Sequence, residues 1–86
     1  MAFVIGDRGM SESVTVLLFS VLRERLGWHE KEIPWREGMS PQTLWEELIE
    51  GDRGGVAPAI DHTFVPWSAP IKPGDEIAFV PPVAGG

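Results

Sequence analysis

The groups best placed to do chemistry are at the end of the chain, in Phe79-Val80-Pro81-Pro82-Val83-Ala84-Gly85-Gly86. Two prolines fix φ near its extended value and cannot continue a sheet ladder, so the chain is expected to leave the fold at Pro81 as a semi-rigid spoke. Beyond it, Val83 and Ala84 offer small apolar contacts, and Gly85 and Gly86 lack a Cβ and can approach another backbone or thread a narrow channel. A tail of this build suits insertion into a partner's active site. Its reactive group is the carboxylate of Gly86. The competing reading is an ordinary frayed terminus, but such ends are normally polar, whereas this one runs from an apolar strand through Pro-Pro to a bare diglycine.

A carboxylate at neutral pH is a poor electrophile, because attack on it must expel oxide or hydroxide. Conversion to an acyl-adenylate supplies a leaving group, after which a sulfur or amine nucleophile can take the acyl position. That chemistry needs a second protein holding ATP.

Nothing else in the chain makes a catalytic set. Cysteine is absent, which removes disulfides, thiolate nucleophiles and thiolate-ligated metals together. His29 and His62 lack any neighbouring metal-ligand spacing and read as surface or turn residues. No Ser-His-Asp set can be assembled, and Trp28, Trp35, Trp45 and Trp67 read as core or rim packing. The glycine-rich stretch from Asp52 to Pro58 fails as a phosphate cradle, since no Gly-Lys-Ser or Gly-Lys-Thr follows it. Cofactors bound by this chain are therefore expected to be none, with ATP used by the activating partner.

At 86 residues the chain is expected to form one small domain with little room for an enclosed substrate cavity beside its core. A formal net charge of −6 leaves no basic stripe for DNA or RNA and favours a basic protein partner. No apolar run approaches a membrane span, and Met1-Ala2-Phe3-Val4-Ile5 is too short for a signal peptide. The expected location is the cytoplasm.

The elements that must position the tail follow from periodicity. Residues 1–12 read as an extension with three open readings: disorder, an added edge strand, or a start-site artefact in which Met10 is the true initiator. Ser13 to Phe19 alternates as a strand, with Val14, Val16 and Leu18 on one face and Thr15, Leu17 and Phe19 on the other. Both faces are mainly apolar, which implies a strand covered twice or a sheet whose outer face meets a partner. Val21 to Leu26 reads as a helical turn or short helix ended by Gly27. Trp28 to Trp35 returns as a second strand, and Pro34 puts its end at an edge.

Ser40 as cap and Pro41 at the first position begin a helix, with Met39 stapled to Leu44. Leu44, Trp45, Leu48 and Ile49 form its apolar stripe, Glu46, Glu47 and Glu50 face solvent, and Gly51 ends it. Val56 to Asp61 and Thr63 to Trp67 read as short strands around an Asp61-His62 turn. Lys72-Pro73-Gly74-Asp75 is a turn with Pro first and Gly second. Glu76 to Val80 is then the last strand, with Ile77 and Phe79 toward the helix and Ala78 and Val80 away. One helix on one face of a mixed sheet, with the first and last strands as central parallel neighbours, predicts an α+β fold of β-grasp, ubiquitin-like type. Its domain spans residues 13–80 and the protruding tail residues 81–86.

The run Gly74-Asp75-Glu76-Ile77-Ala78-Phe79-Val80-Pro81-Pro82-Val83-Ala84-Gly85-Gly86 resembles the closing motif of the small subunits of molybdopterin synthase (MoaD), ubiquitin-like sulfur carriers. Val16-Leu17-Leu18-Phe19 running into Leu22-Arg23-Glu24 is similar to that family's opening strand and turn. The resemblance covers residues 13 to 86, and Asp61 departs from the Asn usual in the middle strand pair. It implies that an E1-like adenylyltransferase (MoeB-like) adenylates Gly86, that a sulfurtransferase system converts it to a thiocarboxylate, and that the tail enters the large synthase subunit (MoaE-like). There the sulfur passes to a cyclic pterin phosphate within a heterotetramer. It also implies an apolar docking patch at Phe19, Phe64 and Val80, and partner contacts along Pro81, Pro82, Val83 and Ala84. Core packing is the competing reading for the patch residues.

Other readings stay open on the residues alone. A carrier for thiamine synthesis (ThiS-like) or another thiolation pathway shares the diglycine and its activation. A ubiquitin-like modifier would join Gly86 to lysines, and a plain interaction module would make no use of the tail.

Overall fold

The computed structural model describes residues 12–82. Residues 1–11 of the extension, and Val83, Ala84, Gly85 and Gly86 of the tail, lie outside the described residues. In chain order the elements are β1 (Ser13–Leu18), α1 (Ser20–Leu26), β2 (Glu30–Pro34), α2 (Pro41–Leu48), β3 (Ala57–Ile60), β4 (Thr63–Phe64) and β5 (Glu76–Val80). They build one mixed five-stranded sheet in the order β2-β1-β5-β3-β4. The two central strands are the first and the last, and they run parallel, with Val16 opposite Ile77 and Leu18 opposite Phe79. The remaining pairs are antiparallel. This is the expected α+β, β-grasp architecture.

Alternation in β1 and β5 decides where the core lies. Val14, Val16, Leu18, Ile77 and Phe79 are all fully buried on one face, and α2 covers them. Leu44 and Trp45 of the helix enter the same cluster, with Met39 from the segment before it and Leu22 from α1. Trp45 meets Phe79 edge-on at a centroid distance of 5.4 Å, while Trp67 stacks on Phe79 at 5.8 Å. Both geometries are favourable ones for aromatic rings. Trp35 and Trp67 are half-buried against this cluster, and the Trp35 indole N–H donates to the carbonyl of Ile71 at 2.6 Å.

The start of α2 is fixed by a reciprocal cap. The Ser40 hydroxyl accepts from the Thr43 N–H, and the Thr43 hydroxyl oxygen accepts from the Ser40 N–H at 3.0 Å, so Thr fills the place that Glu or Gln usually takes in a capping box. The helix stops at Leu48 rather than running to Gly51. Glu50 itself adopts the left-handed conformation at φ 69°, and its N–H donates to the carbonyl of Trp45 at 2.8 Å. The reversal therefore begins one residue before the glycine.

Other boundaries differ from expectation as well. β2 begins at Glu30, not Trp28; Trp28 instead lies beneath the Lys31 ammonium at 4.5 Å. β4 ends at Phe64, because Pro66 has no N–H for a ladder and Trp67 is turned into the aromatic stack. Phe19 falls just past β1, as the extended N-cap residue of α1, and β2 occupies the sheet edge where Pro34 requires it.

Two turns aim the last strand. Asp61 and His62 both have positive φ, 48° and 72°, the mirror-type conformation that joins a two-residue hairpin. In the second, Asp75 N–H donates to the Lys72 carbonyl at 3.1 Å with Gly74 at φ +88°, as a turn with Pro first and Gly second requires. Gly74 N–H then donates to the Ser13 carbonyl at 2.7 Å. The turn is thereby tied to the start of β1, and β5 is launched alongside it.

Candidate functional site

The face of the sheet away from α2 carries a shallow apolar groove of about 160 Å³. Strand register builds it: Leu17 of β1 pairs with Ala78 of β5, Ala78 with Ala59 of β3, and Ala59 with Phe64 of β4. This row crosses four strands on one face, and its two middle members are alanines, whose short side chains leave a depression. Phe64 is 66% exposed and Phe19 43%. Phe19, Phe64 and Val80 all line the groove, so the three residues assigned to a docking patch come together. Exposure at this level makes Phe64 and Phe19 surface groups rather than core members, and contiguous apolar surface beside small residues is how interaction sites are commonly marked.

The groove has a polar rim on one side. His62 Nε2 lies 3.9 Å from a Glu76 carboxylate oxygen, with the histidine 89% exposed. An exposed pair of this kind contributes little to stability, and its place beside the apolar floor matches the polar border of protein interfaces.

Val80 is the last residue of β5 and already part of the groove, so the tail departs from its edge. Pro81 and Pro82 do not line that groove. They border a second depression, of about 320 Å³, between α1 and the glycine-rich loop. The set assigned to partner contact is thus divided between the two faces of the sheet as far as Pro82, and Val83, Ala84, Gly85 and Gly86 lie beyond the described residues.

The sequence reading placed Leu17 and Ala78 on the outer face by alternation but gave neither a role. Ala59, His62 and Glu76 were missed as groove residues. Glu76 shares the outer face with Ala78 and Val80 by alternation along β5, whereas Ala59 and His62 reach the groove through the β3–β5 and β3–β4 pairings, and alternation within a single strand carries no information about register. Among the described residues no three His, Cys, Asp or Glu side chains form a metal-holding group.

Comparison with known proteins places this arrangement in a family. The model of the ThiS family matches residues 16–86, from the middle of β1 through the diglycine. The chain belongs to the ThiS family. As a ThiS-family member it is similar to the molybdopterin synthase sulfur carrier subunit of Haemophilus influenzae, with 49% identity over 81 residues that cover 85% of this chain and 99% of that protein. The protein of the same name from Escherichia coli is 33% identical over 82 residues, again 85% and 99% of the two chains. Among solved structures, a putative molybdopterin converting factor subunit 1 from Pyrococcus furiosus superposes with a TM-score of 0.69 at 31% identity, covering 85% of this chain and all of that one.

Proposed function

We propose that this chain is a sulfur carrier of molybdenum cofactor synthesis, with Gly86 as the carrying residue. The observation that carries the reading is the ThiS-family match, which runs to residue 86 itself, together with relatives named as sulfur carrier subunits that the match spans almost end to end.

In this reading the Gly86 carboxylate attacks the α-phosphorus of ATP held by an E1-like adenylyltransferase, and pyrophosphate leaves. Sulfur at the sulfide level, supplied through a sulfurtransferase, then displaces AMP from the acyl carbon and leaves a thiocarboxylate. The charged carrier docks on a large synthase subunit, and the tail delivers its sulfur to a cyclic pterin phosphate. Hydrolysis returns Gly86 to the carboxylate. This chain supplies the acyl group, its reach and its docking surface, and the partners supply the catalytic groups.

The Phe19–Phe64–Val80 groove is the docking surface that the geometry supports. It is exposed and apolar, and it sits where the tail begins, so a partner seated on it receives the tail at a fixed offset. Both the adenylyltransferase and the large subunit need that same offset, which makes their binding mutually exclusive and orders the cycle. The partner assembly is a heterotetramer of two small and two large subunits, working in the cytoplasm; no helix among the described residues is long and apolar enough to cross a membrane.

Exchange of labelled pyrophosphate into ATP by an activating enzyme tests the first step. Exchange that depends on this chain, and disappears when Gly86 is removed, supports the reading. Equal exchange with and without the chain overturns it.

A further inference from the structure

The loop between α2 and β3 is fastened in an unusual number of places for an exposed segment. Trp45 donates its indole N–H to the Gly51 carbonyl at 3.0 Å, and Gly54 N–H donates to the Asp52 carboxylate at 3.0 Å. Val56 N–H closes a turn onto the Arg53 carbonyl at 3.0 Å. The Arg53 guanidinium lies 4.2 Å from the centre of the Trp67 ring and donates to the Gln42 side-chain oxygen at 2.7 Å. Through Trp45 and Trp67 the loop is anchored to the aromatic stack around Phe79.

Gly55 sits at the end of this loop nearest the tail. A Cβ built on it would lie 3.1 Å from Pro82 Cγ, 3.3 Å from Pro82 Cβ and 3.6 Å from Pro82 Cδ. The first two are closer than ordinary van der Waals contact, and the group they strike is a rigid ring. Gly55 is not among the glycines with positive φ, so its backbone conformation does not demand glycine. The constraint comes from the ring of Pro82, which an added Cβ would push back by a few tenths of an ångström. Pro82 is exposed and has no N–H with which to tie itself down; between a fastened loop and an untied ring, the ring yields.

We propose that Gly55 is a positioning residue for the carrier reaction: its bare Cα is the seat against which Pro82 rests, and that seat sets the line along which the C-terminal segment leaves the sheet. The proposal rests on reading Gly86 as the reacting terminus. Gly86 is four residues past Pro82, a reach of at most about 14 Å at full extension, so the direction set at Pro82 fixes where that reach starts and which way it sets out. Misplacement of a reacting group by about 1 Å can cost on the order of a hundredfold in rate. The docking groove is on the other face of the sheet, so seating and docking are separable.

The test is steady-state adenylation of the full chain by an activating enzyme, with Gly55→Ala, Pro82→Ala and the double variant, alongside thermal melting. Gly55→Ala is expected to lower kcat about tenfold with KM and Tm unchanged. In the Pro82→Ala background, where the Cγ and Cδ contacts no longer exist, the same substitution is expected to lose most of its effect, the coupling that marks two groups acting through one contact. A kcat within about twofold of the parent, an equal loss in both backgrounds, a rise in KM alone, or a fall in Tm that tracks kcat would each overturn the proposal. A parent chain that is never adenylated would instead overturn the functional reading beneath it.

Discussion

Phe79 and Val80 are adjacent in β5 and face opposite ways: the Phe79 ring is fully buried against Trp45 at 5.4 Å, while Val80 lines the groove between Phe19 and Phe64. The buried core and the proposed docking groove therefore fall on alternate residues of a single strand. The same strand delivers the tail, so the sheet register that fills the core also fixes where the tail begins.

Truncation at these two positions should separate the two roles. Phe79→Ala removes a ring from a packed aromatic cluster and is expected to cost about 3–5 kcal/mol, a large share of a small domain's stability. Val80→Ala is expected to cost about 1 kcal/mol or less. Urea unfolding followed by tryptophan fluorescence measures both, and equal losses would contradict the division.

Phe64 is expected to behave as a contact residue. At 66% exposure it contributes little to the core, so Phe64→Ala should change stability by within about 0.5 kcal/mol. Affinity for the large subunit should fall about thirtyfold, equivalent to about 2 kcal/mol, as truncation of an aromatic anchor at an interface does. Isothermal titration calorimetry against that subunit checks the affinity; unchanged binding would remove the groove from the docking surface.

The reciprocal cap on α2 makes a purely structural prediction. Ser40→Ala should lower stability by about 1 kcal/mol. Thr43→Ala breaks the same pair of bonds, so the double variant should lose less than the sum of the single ones. Partner affinity should not change in any of the three, as calorimetry on the same variants would show.

Deleting Gly85 and Gly86 should abolish sulfur transfer to the pterin substrate and leave the urea transition unchanged. Neither glycine has a side chain to bury in the core. A broadened or less cooperative transition on deletion would contradict that assignment.

Periodicity was sufficient for much of the fold. Val14, Val16 and Leu18 against Ile77 and Phe79 identify two half-buried strands, and Ser40-Pro41 before Leu44-Trp45 identifies the helix that covers them. Parallel pairing of β1 and β5 followed because both are apolar enough for the centre of the sheet. Boundaries were less legible where one residue overrode a general preference: Glu50 took the left-handed turn ahead of Gly51, and Trp67 left the β4 line to stack on Phe79. In the site, Phe19 and Val80 were placed on the outer face by alternation, and Phe64 entered by resemblance. The placing of Ala59 and His62 in the groove, and the approach of Pro82 to Gly55, depend on the proximity of segments far apart in the chain, which neither composition nor spacing encodes.

The most direct test of Gly86 as a sulfur carrier is the intact mass of the C-terminal peptide from the protein isolated from its native cells. The predicted result is a fraction in which one carboxylate oxygen of Gly86 is replaced by sulfur, and that fraction should grow when ATP, the activating enzyme and a sulfur donor are supplied. A C-terminal peptide joined through Gly86 to a lysine, with no sulfur-bearing form, would contradict the carrier role and indicate a protein modifier. A carboxylate that stays unmodified with all three components present would contradict both.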